Sequence, residues 1–274
     1  MIRKIKKHLK ITTNRINTSS ESKRLLSIDN DLLRTVYKAI ERSKKENFTE
    51  EEKKDFSNCE NYRKELLSSE EVITYEIFGL DKTAIVKDIC EKAASSPKWC
   101  QLLYTLTKDT NSKSIFEIGT NLGISGTYIL HATKNTVESQ LHTLEGLKQL
   151  CDIASTEFKK ITKAENFKVW QGLYDDTFDK ALAQAGKIDI AFIDGNHQYE
   201  PTLEYFEKIT YQTDKKALLI FDDINWSDGM HKAWSEIQKS NKINFTIDLY
   251  EIGLALIDKK YKGDKLNFNF HYNY

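Results

Sequence analysis

Proline is almost missing: Pro97 and Pro201 are the only two in 274 residues, and neither interrupts a stretch with strand character. Apolar runs are short, none approaching the ~20 residues needed to cross a bilayer. The N-terminus is basic but lacks the apolar stretch of a secretory signal. Net charge is absent as well, at +0, so the field of the whole molecule gives no reason to expect a nucleic-acid partner. Cysteine is sparse and unclustered. Cys59, Cys90, Cys100 and Cys151 form no CxxC spacing, which argues against a zinc site and for reduced thiols in a cytoplasmic, soluble protein without stable membrane insertion. No internal repeat is visible.

What is present supports one sizeable core with an appendage, since 39% of residues are hydrophobic and 30% charged. The pattern changes near residue 110. Residues 1–20 read as a basic arm in which Ile2, Ile5 and Leu9 share a helical face. That arm suits either a membrane surface or a frayed, solvated end. Residues 21–110 read as a helical cover, with helical spacing over 25–42, a charged stretch over 43–55, and helical patterns again over 62–78 and 83–107. From 111 to 259, strand patterns at 114–118, 140–144, 167–170, 188–193 and 217–221 alternate with helical ones. Two further strands, 243–250 and 253–257, have too short a link for a crossover and form an antiparallel pair. The expected fold is α/β, a Rossmann-like doubly wound sheet of seven strands ending in that pair and preceded by a helical segment. Residues 260–274 read as a tail.

The densest chemical signal is KSIFEIGTNLGISGT over 113–127. An apolar strand ends in Glu117 and breaks into a loop with Gly119, Gly123 and Gly126, while residues 122–131, Ser125 among them, read as a helix whose N-terminus faces the ligand. A carboxylate at the lip of such a loop repels a pyrophosphate and attracts a ligand bearing an ammonium and a sulfonium. S-adenosylmethionine has that charge pattern. The next strand finishes LHTLEG and places Glu145 where an acid accepts hydrogen bonds from both ribose hydroxyls, while Gln171 and Gly172 end the third strand where an adenine edge would lie.

The fourth and fifth strands end IAFIDGNH and LLIFDDINW. They bring Asp194, Asp222 and Asp223 to one rim, where repulsion calls for a cation or hydrogen-bond donors among them. Magnesium, with few carboxylates plus substrate oxygens, is one solution. The structural alternatives are an Asx turn at Asp194 and helix capping by Asp222 or Asp223 over 226–238. His197 is a candidate general base with His231 as competitor, and a packing role is the alternative for either. Trp226 and Tyr199 stand just beyond the same strand ends.

Through FEIGTNLGIS, LHTLEG, FIDGNHQYEPTLEYF and FDDINW the sequence resembles class I S-adenosylmethionine-dependent methyltransferases. Within them it resembles bacterial small-molecule O-methyltransferases and, more distantly, the catechol and macrolide-sugar groups. The resemblance spans roughly 113–258. It implies that Glu117, Gly119, Gly123 and Ser125 line the cofactor with Glu145 on the ribose, and that Asp194, Asp222 and Asp223 hold magnesium. It also implies a small-molecule or sugar hydroxyl as acceptor; Asp194 and His197, read from their place at the end of the fourth strand, are the candidate catalytic residues. Catechol-type members carry asparagine where this chain has Asp223 and a lysine base near His197. A nicotinamide-dependent oxidoreductase and a non-catalytic S-adenosylmethionine-binding protein remain the competing readings. The acceptor's identity and homo-oligomer formation stay open.

Overall fold

The computed structural model describes residues 2–272, with the side chains of residues 2–7, 9, 10 and 78 outside the description. The apolar face of Ile2, Ile5 and Leu9 therefore lies outside the described side chains. In chain order the elements are α1 (Ile2–Leu26), α2 (Asp31–Lys44), α3 (Glu50–Leu67), β1 (Val72–Thr74), a 3₁₀ turn (Glu76–Phe78), β2 (Thr83–Ile85), α4 (Val86–Ala93) and α5 (Pro97–Asp109). There follow β3 (Ser114–Ile118), α6 (Ile124–Thr133), β4 (Gln140–Glu145), α7 (Lys148–Ile161), β5 (Phe167–Gln171), α8 (Tyr174–Ala185), β6 (Ile188–Ile193) and α9 (Tyr199–Gln212). The last are β7 (Thr213–Phe221), α10 (Asp228–Lys239), β8 (Phe245–Asp248), β9 (Gly253–Asp258) and β10 (Leu266–Asn269). The architecture is a Rossmann-like α/β fold with N-terminal helices and a mostly parallel sheet of eight strands. Contacts divide the chain into two compact units, 39–187 and 1–38 with 188–274.

In the 39–187 unit, β3, β4 and β5 run parallel, with Glu117 opposite Thr143 and Glu145 opposite Gln171. Helix α3 starts at a capping box in which the Thr49 hydroxyl accepts from Glu52 N–H and the Glu52 carboxylate accepts from Thr49 N–H. Its buried face, Phe56, Cys59, Tyr62 and Leu66, joins Tyr104, Leu122, Ile124, Tyr128, Leu147 and Leu150 in one apolar cluster. The helical segment is thereby packed on the turns that begin α6 and α7. The Tyr62 hydroxyl donates to the Leu122 carbonyl at 2.6 Å, which satisfies both groups inside that cluster.

The other unit orders its strands β10-β8-β9-β7-β6. Strand β9 runs antiparallel to both β7 and β8, as the short link requires, and β10 runs parallel to β8. Helix α1 closes on that last strand. Arg24 lies 4.2 Å above the Phe268 ring, donates to the Asn267 carbonyl and bonds Glu21.

Several expectations are refined. The pattern over 25–42 is broken at residues 27–30, because the Asn30 side chain accepts from Leu33 N–H at 2.9 Å and starts a new helix. The pattern over 62–78 ends at Leu67, and the β-branched Val72, Ile73 and Thr74 form a strand paired antiparallel with Thr83–Ile85. Over 83–107 the helix is interrupted where Ser96 caps a new helix with Pro97 in its first turn. The tail contributes an eighth strand, β10, where seven were expected.

Helices α6 and α7 cross at the glycines. A Cβ on Gly126 would overlap the Phe158 ring, and one on Gly123 would sit 2.7 Å from Ala154 Cβ. Gly126→Ala should therefore destabilise the protein by about 1–3 kcal/mol, the scale of overpacking. Urea unfolding checks this, and Phe158→Leu in the same chain should recover part of the loss.

Candidate functional site

In the 39–187 unit the loop after β3 is stitched to the end of β4. Gly119, at φ +100°, and Thr120 both direct their N–H groups to the Leu144 carbonyl, at 3.1 and 3.0 Å. Asn121 takes a left-handed conformation, φ +48°, and donates its N–H to one Glu145 oxygen at 2.9 Å. Leu147 N–H donates to the other at 2.9 Å. Glu145 is thus held by two backbone donors at the strand end. Its carboxyl lies above the ordinary range because burial outweighs the Leu147 and Asn121 N–H groups.

Glu117 sits deeper than a lip. It has no exposed surface, and its two oxygens accept from the hydroxyls of Ser125 at 2.5 Å and Thr143 at 2.6 Å. Thr143 also shares a 2.5 Å hydrogen bond with Thr120. Burial pushes the Glu117 carboxyl up to about 7, with the two hydroxyls opposing the shift. Thr143 and Thr120 went unrecognised in the sequence, where the alternation of Thr143 with Glu145 on β4 was the available signal. Gln171 donates to the Gly146 carbonyl at 3.1 Å, and Gly172, at φ +139°, donates its N–H to the Glu145 carbonyl at 2.9 Å. The expected cofactor residues Glu117, Gly119, Ser125, Glu145, Gln171 and Gly172 are therefore linked by strand register and hydrogen bonds. Gly123 has a packing role against Ala154 and Phe158.

In the other unit, β6 runs into Asp194, the left-handed Asn196 (φ +56°) and His197. His197 Nε2 lies 3.5 Å from an Asp194 oxygen, and the imidazole ring centre is 6.1 Å from that of Trp226. Burial lowers the His197 pKa, with the Asp223 charge opposing. Asp222 follows β7, donates its N–H to the Ile193 carbonyl and shares a side-chain hydrogen bond with Asp194. Its carboxyl is pushed up to about 6 by burial and then by the Asp223 charge. Asp223 is left-handed, φ +55°. It is raised by burial and held back by His197.

Neither aspartate caps α10, because the Ser227 hydroxyl accepts from Met230 N–H. His231 is engaged by Asn225 at 3.1 Å. Trp226 is 63% exposed. Among the described residues no three or more His, Cys, Asp or Glu side chains are placed to hold a metal ion. The expectation that Asp194, Asp222 and Asp223 hold magnesium thus finds no support in their arrangement.

Glu117 yields a pH signature. Its folded pKa of about 7 exceeds the ordinary glutamate value of 4.5, so the unfolded chain loses this proton first, and stability falls as pH rises between those values. Glu117→Gln should flatten that slope, which amounts to about 3 kcal/mol at most. Urea unfolding of both proteins at pH 5, 6 and 7 measures it, and parallel slopes would remove Glu117 as the source.

Residues 116–224 match a family described as "Methyltransferase domain". The fold is similar to the O-methyltransferase from Bacillus cereus solved with SAH, at 19% identity and TM-score 0.51 over 61% of this chain and 84% of that one. It is also similar to the O-methyltransferase TomG from Streptomyces achromogenes, involved in tomaymycin synthesis and solved with SAM. There the identity is 16% and the TM-score 0.52 over 77% of this chain and 91% of that one. The SAH-bound methyltransferase PaMTH1 from Podospora anserina shares 18% identity, with a TM-score of 0.52 over 62% of this chain and 81% of that one. No curated protein matches the chain.

Proposed function

We propose that the methyltransferase domain carried by this chain transfers the methyl group of S-adenosylmethionine to a hydroxyl oxygen of a small molecule or sugar. The observation that carries the reading is Glu145, fixed at the end of β4 by the N–H groups of Asn121 and Leu147. Each oxygen keeps a lone pair for a ribose hydroxyl, and the backbone bonds orient the carboxylate before the ligand arrives. Glu117, buried beneath the loop, supplies negative potential for the cationic methionine end. The family match over 116–224 and the fold of structures solved with SAM or SAH support the same assignment.

In the reaction the acceptor oxygen forms a bond to the methyl carbon as the carbon–sulfur bond breaks, and the sulfonium leaves as a neutral thioether. The acceptor's proton goes to a base. His197 takes that role in our reading, with Asp194 3.5 Å away to orient the ring and stabilise the imidazolium that forms. Trp226 offers an exposed indole face beside His197 for a planar or pyranose acceptor. We assign no step to a metal. The helical segment packed on α6 and α7 serves as the cover that excludes water from the cofactor. In the described residues no helix is long and apolar enough to cross a membrane, and the four cysteines are free and buried, in keeping with a cytoplasmic setting.

Calorimetry should show binding of S-adenosylhomocysteine and none of NADH. Glu145→Ala should weaken the former by about 1.5–3 kcal/mol, as for a lost charge-assisted hydrogen bond. Tight NADH binding without binding of the sulfur ligand would favour an oxidoreductase. With labelled S-adenosylmethionine and a panel of hydroxylated aromatics and sugars, His197→Ala should lower turnover by about 10²–10⁴-fold with cofactor affinity unchanged. Excess chelator should leave the rate intact. A rate that chelator abolishes and magnesium restores would reinstate the metal, and an undiminished His197→Ala rate would remove the histidine from the mechanism.

A further inference from the structure

The β1–β2 hairpin of the 39–187 unit forms a two-stranded sheet of its own, with Ile73 buried in the apolar cluster, and its attachment is specific. Gln149, in the first turn of α7, presents its side-chain amide to the edge of β1 as another strand would. Its oxygen accepts from Thr74 N–H at 2.8 Å and its nitrogen donates to the Val72 carbonyl at 2.9 Å. The next residue, Tyr75, is held across the hairpin by its N–H bond to the Lys82 carbonyl at 3.0 Å. Its ring packs against the apolar cluster that contains Leu122, Leu147 and Leu150.

That location is informative because Asn121 and Leu147 supply the two N–H groups holding Glu145. Tyr75 therefore packs on the same apolar cluster as Leu147 and as Leu122, the neighbour of Asn121. The Glu145 charge also reaches the phenol, adding to burial in keeping it protonated. The ring is only partly buried, and the Lys82 ammonium lies 5.3 Å from its centre. A partly buried aromatic ring, capped by a lysine side chain and packed on the cluster next to a preorganised carboxylate, has the composition of a nucleoside site, in which the acid takes the sugar hydroxyls and the ring covers the apolar faces of sugar and base.

We propose that Tyr75 is a cofactor-positioning residue, its ring closing the adenosine side of the site at Glu145, and that the hairpin carrying it becomes more ordered when the cofactor binds. This rests on the S-adenosylmethionine reading above and extends it to a segment outside the sheet. The ring and not the hydroxyl does the work, so phenylalanine should substitute and alanine should not. The gain belongs to the nucleoside half of the ligand, so it should be the same whether or not the amino-acid tail is present.

The test pairs calorimetry with hydrogen exchange. Tyr75→Ala should weaken binding of S-adenosylhomocysteine and of 5′-methylthioadenosine, which lacks the amino-acid tail, by about 10-fold each, while Tyr75→Phe stays within about 3-fold of the parent. In the unsubstituted protein, saturating S-adenosylhomocysteine should slow amide exchange across residues 72–85. If Tyr75→Ala does not fold, that exchange result decides alone. Parent-like affinity in Tyr75→Ala, or unchanged exchange in 72–85 at saturation, overturns the proposal while the cofactor reading survives. Absence of S-adenosylhomocysteine binding by the parent protein overturns both.

Discussion

A carboxylate with no exposed surface organises the 39–187 unit. Removing Glu117 from water is unfavourable unless its oxygens find donors, and the donors come from two different elements, Ser125 on α6 and Thr143 on β4. Satisfying them fixes the register of β3 against β4, because Glu117 and Thr143 are direct partners. The same constraint draws the start of α6 back over the strand ends, and the loop between must turn through three residues of positive φ, Gly119, Asn121 and Gly123. Asn121 then reaches Glu145. One buried carboxyl thereby sets the position of a second, slightly less buried one that the proposed chemistry uses.

Much of this was legible in the chain. Strands at 114–118 and 188–193 were read at their observed bounds, because short apolar runs bounded by glycine, aspartate or turn residues leave little freedom. The glycine turn and the strand-end acids were visible for the same reason. Other features depend on partners distant in sequence. Nothing within EIGT reveals that Glu117 is covered, since its cover is a threonine from another strand. The hairpin at 72–85 carries apolar spacing that suits a helix equally well, and it becomes a hairpin through the amide of Gln149. For the three aspartates, sequence places them at strand ends, but the hydrogen bond between Asp194 and Asp222 depends on side-chain geometry.

The unit containing β6 to β10 concentrates unusual backbone at one end. Asn196, Asp223 and Tyr250 all have positive φ without being glycine. Such conformations are disfavoured by side-chain sterics and persist where surrounding bonds over-determine them. Here the bonds are visible. Trp226 N–H donates to the Asp223 carbonyl, Ile224 N–H to the Glu251 carbonyl, and the Asn225 amide to the Tyr250 carbonyl. The strain coincides with the residues assigned to proton transfer, so the positions of His197 and the aspartates are set by backbone that has little room to relax.

The closure of α1 on β10 bears on how the molecule is made. Arg24 grips Asn267 and Phe268, and Arg15 reaches His271, so this unit joins residues separated by almost the entire chain. The 39–187 unit is contiguous. During synthesis the contiguous segment leaves the ribosome whole and can fold as it emerges, whereas α1, made before it, must wait for β10. Birth order and folding order are therefore reversed for the N-terminal helix, and through most of translation its Phe268-facing side is without its native cover.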